Sequence, residues 1–143
     1  MNISTIIRGK YITALSGVKY NNVVIPIFDE VVNPSTVIPV INGAECYVIL
    51  QNQQEREDST QVFCQYRILA DITVKVVTKF GTVGGKKLSE DIADLIDSKI
   101  RSGRNTNLIS VANVSLIERS TVESNKDNLA FQKILIYTNT INI

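Results

Sequence analysis

The stretch ILADITVKVVTKF (68–80), with GTVGG (81–85) and KKLSEDIADLIDSKIRSG (86–103) after it, decides the fold class because its hydrophobic period changes midway. From Val62 to Val77 the pattern is strand-like, and Ile68, Ala70, Ile72, Val74 and Val76 alternate with Asp71, Thr73 and Lys75, as in a long strand with one face in a core. Past the glycines, Leu88, Ile92, Leu95, Ile96 and Ile100 recur at helical spacing while Glu90, Asp94, Asp97 and Arg101 take the opposite face. Gly103 stands where such a helix stops. A one-faced strand leading into an amphipathic helix predicts a helix packed on a sheet.

Working towards the N-terminus, the polar run QNQQEREDSTQ (51–61) offers no core residue and predicts an exposed hairpin loop or extended tip. Its mixed charges Glu55, Arg56, Glu57 and Asp58 suit rim contacts with a partner. ECYVIL (45–50) has the composition of a short buried strand. The segment before it, from Val31 to Ala44, is uncharged but broken by Pro34, Pro39 and Gly43, so it predicts a loop and excludes a spanning helix. Pro26 limits VKYNNVVIPIFDEVV (18–32) to an edge strand or a strand entering that loop. Ile3, Ile6, Ile7, Tyr11, Ala14 and Leu15 predict a first helix of about three to four turns, with Gly17 as its C-terminal cap.

Towards the C-terminus, strands from Val111 to Val122 and from Leu129 to Ile141 flank the turn-forming cluster ESNKDN and should make a hairpin. The tail LIYTNTINI is apolar and β-prone to its last residue, so it either closes the sheet or continues into a neighbour's sheet. Tyr137, Ile141 and Ile143 therefore join the charged tip as candidate partner-interface residues. Without alternating βα units, the order predicts one α+β domain over residues 1–143, an antiparallel or mixed sheet with two helices packed on one side.

Composition narrows the chemistry. The chain has no histidine, which removes Ser-His, Cys-His and His-metal arrangements together. Glu90 with Asp94 and Asp91 with Asp94 read as a solvated acidic helix face rather than a catalytic pair. GTVGGKK has glycines and a lysine before a helix, but it is one residue short of a phosphate-cradling loop, and Lys87 takes the place of the required Ser or Thr. Cys46 and Cys64 sit in apolar stretches and read as small buried hydrophobes. Lys and Arg total 15 against 14 Asp and Glu, leaving no general field to hold nucleic acid or a membrane surface. No cofactor or metal is expected and the chain does not read as an enzyme. The N-terminal stretch, with Arg8 and Lys10 after its first isoleucines, does not read as a secretory signal, so a soluble protein is expected.

The succession of elements resembles the phage tail terminator, or tail completion, proteins. The likeness runs from about Ile6 to Ile141 and lies in the helix ending at ALSG (14–17), the proline-bearing strand, ECYVIL and the long polar tip. It continues through ILADITVKVVTKFG, KKLSEDIADLIDSKI and the pair VSLIERSTV and FQKILIYTN, and the uncharged segment from Val31 to Ala44 reads as an extra loop. The resemblance implies a homo-oligomeric ring of about six subunits. It also implies tail-tube and head-connector proteins as partners, DNA passing through the channel without specific binding, and a place in the virion after assembly in the host bacterial cytoplasm. A neck or connector ring of another tail type, or a non-viral small-ligand or dimerisation domain, are the alternative readings.

Overall fold

Residues 68–80 fall within one 14-residue strand, and the other elements are arranged to either side of it. The computed structural model describes residues 3–57, 67–81, 85–103, 113–123 and 130–142. In chain order these form α1 (Ile3–Leu15), β1 (Lys19–Tyr20), β2 (Val23–Val24), β3 (Ile27–Asp29), β4 (Val40–Ile41), β5 (Ala44–Glu57), β6 (Arg67–Phe80), α2 (Lys87–Gly103), β7 (Asn113–Glu123) and β8 (Ala130–Asn142). The main sheet runs β3-β5-β6-β8-β7, with β4 also paired to β5. β3 is parallel to β5 and every other pairing in this sheet is antiparallel. This is the expected α+β class, with a mixed sheet.

Register explains the core. Val48 stands opposite Val76, Ile72 opposite Tyr137, and Val74 opposite Leu135, so the inward residues of three adjacent strands share one face. Ile7, Tyr11 and Leu15 of α1 and Leu88, Ile92, Ala93, Ile96 and Ile100 of α2 join that face in one buried cluster. Full burial of each large aliphatic side chain contributes about 1.5–3 kcal/mol. The helix spacing at residues 88–100 and the alternation at 70–76 were two halves of this one core. A second, smaller cluster of Phe28, Tyr47, Ile49 and Val77 lies on the other face, capped by Val32 and Ile38 from the loop after β3.

α1 ends where Gly17 adopts φ 76°, the left-handed conformation its missing Cβ allows. Two short hairpins went unread in the sequence. Asn21 and Asn22, at φ 50° and 63°, turn β1 into β2. Asn42 and Gly43, at φ 49° and 83°, turn β4 into β5, so the segment from Val31 to Ala44 contains a strand as well as a loop.

Two expectations need correcting. The polar run after Leu50 continues β5 as far as Glu57 instead of looping out, because cross-strand pairing with β6 supplies what its composition lacks. Its register slips by one residue between Gln51 and Gln54, a bulge at the junction of its apolar and polar halves. The C-terminal strand is not an edge: β8 lies between β6 and β7, and the tail completes the chain's own sheet over its described length. Val62 to Tyr66, with Cys64 among them, and most of ESNKDN fall outside the described residues.

Candidate partner interface

The far end of the β5–β6 hairpin brings the sequence-named charges into a defined place. Glu55 pairs with Ala70 across the strands and accepts a hydrogen bond from the Ser4 hydroxyl at the start of α1. Arg56 pairs with Leu69 and points to the opposite face, where its guanidinium lies 3.4 Å from Asp71 Oδ1. Asp71 also accepts a 2.7 Å hydrogen bond from the Thr138 hydroxyl, so Arg56 reaches β8 through one carboxylate. Glu55 and Arg56 are exposed; Asp71 and Thr138 are not. Exposed charges whose ends are each held by one neighbour fit the rim of a contact.

The remaining sequence-named residues divide. Glu57 and Ile141 both stand opposite Ile68, one from each neighbouring strand. Asp58 and Ile143 lie outside the described residues. Tyr137 is fully buried: its ring lies 6.0 Å from that of Tyr11 and its hydroxyl donates to Asp97 Oδ1 at 2.7 Å. It serves the core, and in this fold it is not available to a partner. Inner-strand position overrode the reading of an apolar tail as an interface. Asp97, expected on the solvated face of α2, is drawn half into the protein by the same bond.

Sequence reading missed Arg8. From α1 it donates to Asp29 Oδ1, to Glu30 Oε1 at 2.8 Å and to the Leu50 carbonyl at 3.1 Å, tying the helix to the end of β3 and the middle of β5. Helical periodicity gives no signal for such a contact, because both carboxylates come from a different element.

The acidic groups of α2 do not converge. Glu90 faces Lys133 at 4.0 Å, and Asp91 faces Lys87 at 3.8 Å and accepts from Tyr20 at 3.4 Å. Burial, with the Asp91 charge and hydrogen bond adding to it, raises the Tyr20 phenol above its usual range. Burial also pushes the Cys46 thiol up to about 11, which keeps it protonated and unreactive at neutral pH. No group of three or more acidic, cysteine or histidine side chains suited to a metal occurs among the described residues. Two depressions flank Phe80. One, of about 230 Å³, is lined by Tyr20, Asn42, Lys87, Leu88 and Asp91; the other, of about 410 Å³, is lined by Val40, Gly43, Glu45, Lys79 and Gly81. Both are open and of mixed polarity; in the first, the Tyr20 hydroxyl and the Lys87 ammonium are turned to Asp91. Among the described residues no helix is long and apolar enough to cross a membrane.

No protein family model matches the sequence, and no protein of curated function matches it. Among solved structures, a chain from the virion of a native gene transfer agent particle is similar with a TM-score of 0.46 and 11% identity, over 81% of this chain and 78% of that one.

Proposed function

We propose that this chain is a structural virion protein, a ring subunit at the head-tail junction of a phage, acting as a tail terminator or tail completion protein around the DNA channel. The observation that carries the reading is the order of elements. α1, an edge strand limited by Pro26, a long β5–β6 hairpin with a charged end, α2 and the β7–β8 hairpin follow in the sequence that the family resemblance implies. Exposed Glu55 and Arg56 stand at one place on the hairpin, and β7 forms the opposite edge of the sheet, so two different surfaces are offered to neighbours. Such surfaces suit head-to-tail contacts that close a ring. The ring, about six copies by resemblance, would meet tail-tube and head-connector proteins and let DNA pass without holding it, in keeping with a net charge of +1.

Electron microscopy of the protein at high concentration, and of virions carrying it, tests this. A closed ring at the neck is the expected result. A two-fold dimer, or a monomer that binds a small metabolite, would reject it. Failure to assemble in dilute solution alone does not count against a ring that closes on its tube.

A further inference from the structure

Residues 28–39 cross the face of the sheet that carries no helix, between Ile27 and Ile41, which pack into the helix-covered core. Phe28, Val32 and Ile38 of this segment pack on Tyr47, Ile49 and Val77, with the Phe28 and Tyr47 rings edge to face at 5.9 Å. Its outer side is apolar too, with Val31 75% and Val37 90% exposed. At its far end the Pro39 carbonyl accepts from the Cys46 amide at 3.1 Å, and β4 pairs with β5. At its near end β3 matches only Val48 to Leu50, with hydrogen bonds from the Val48 amide to the Pro26 carbonyl and from the Glu30 amide to the Leu50 carbonyl. Glu30 sits at φ 67°, a left-handed conformation that is unfavourable for a non-glycine residue.

The near end is thus short and strained, and it is where Arg8 acts. From Val31 to Ala44 the chain has no charge, so Asp29 and Glu30 are the only charged groups of the crossing segment. Arg8 holds both and the Leu50 carbonyl as well. The guanidinium side chain is only 15% exposed, whereas its two carboxylate partners are about half exposed. Water can take back the carboxylates easily, and salt screens them.

We propose that Arg8 is a latch that holds residues 28–39 as a strap across the sheet, and that loss of its two carboxylate partners opens the strap while Ile27 and Ile41, on the helix-covered side, stay with β6 and the rest of that core. Opening uncovers Tyr47, Ile49 and Val77. These residues adjoin half-buried Ile134 and Ile136, which stand opposite Lys75 and Thr73 on the same sheet face, so the result is a wider apolar surface. This device goes beyond the ring reading and is independent of it: it concerns one copy of the chain.

Amide hydrogen exchange of the full chain, resolved by NMR, tests it in the native protein, in Arg8→Gln and in Asp29→Asn/Glu30→Gln. Both variants should speed exchange at the Glu30 and Val48 amides by about tenfold or more, with Val74 and Val76 unchanged and with increased binding of an apolar dye. Raised salt should move the native protein the same way. Restoring the attraction with Arg8→Glu combined with Asp29→Arg and Glu30→Arg should recover protection. Unchanged exchange at Glu30 and Val48 overturns the latch, and an equal rise at Val74 and Val76 assigns Arg8 to the whole fold instead. Should Arg8→Gln not fold, the carboxylate variant decides alone, since it leaves α1 untouched.

Discussion

The Tyr11 hydroxyl donates to Asn139 Oδ1 at 2.8 Å, joining the first helix to a strand 128 positions later, and Asn139 Nδ2 in turn donates to the Ala70 carbonyl at 3.0 Å. Both side chains are fully buried, so the bond replaces water that neither group can reach. Tyr11→Phe should cost about 1–3 kcal/mol in urea unfolding, because it strands a buried acceptor. Pairing it with Asn139→Leu should cost less than the two changes summed. Strict additivity would show that the two groups do not depend on each other.

Removing residues 137–143 should destroy the fold rather than merely weaken assembly. Tyr137 stands between Ile72 and Leu116 and fills the core beside Tyr11, so truncation breaks an inner strand. Loss of cooperative thermal unfolding by circular dichroism is the expected outcome. A truncated chain that still melts cooperatively would place the strand at an edge after all.

Arg56 and Asp71 form one ion pair but should respond unequally to substitution. Arg56 is half exposed, so Arg56→Gln should cost under about 1 kcal/mol. Asp71 is only 16% exposed and accepts from Thr138, so Asp71→Ala should cost about 1–3 kcal/mol by leaving a nearly buried hydroxyl unmatched. Under the ring reading, reversing Glu55 and Arg56 together should lower self-association in sedimentation while leaving the melting curve nearly in place. A large fall in melting temperature would mean that the hairpin end is packed.

The Cys46 thiol gives stability a dependence on alkaline pH. Its pKa is raised by burial from 9.0 to about 11, so the unfolded chain gives up this proton first. The thiol's contribution is complete below about pH 9 and is lost as pH rises through about 11. Burial raises the Tyr11 phenol as well, despite the opposing hydrogen bond to Asn139, and this adds to the alkaline loss. Between pH 9 and 11 the urea midpoint of the native protein should fall more steeply than that of Cys46→Ala, which keeps Tyr11. Equal slopes would show that the thiol is not desolvated.

Periodicity alone located what depends on neighbours along the chain. Ile72, Val74 and Val76 announced a one-faced strand, and Leu88, Ile92, Ile96 and Ile100 a helix to cover it, because each pattern states which side must leave water. The capping glycine and the proline-limited edge strand were legible for the same local reason. Asn42-Gly43 also carried a readable hairpin signal, one obscured by the prolines around it.

Only the tertiary structure decided which strands lie inside. An apolar tail has the same composition at an edge or in the middle of a sheet, and it was the insertion of β8 between β6 and β7 that buried Tyr137 and removed it from the candidate interface. Likewise, Gln51 to Glu57 look like a loop until β6 lies beside them, and Arg8 looks like a solvated helix charge until β3 brings Asp29 and Glu30 to it. Local pattern fixes which face of an element is apolar. Long-range pairing fixes what that face meets, because hydrogen-bond partners and charges distant in sequence become neighbours only when the sheet has formed.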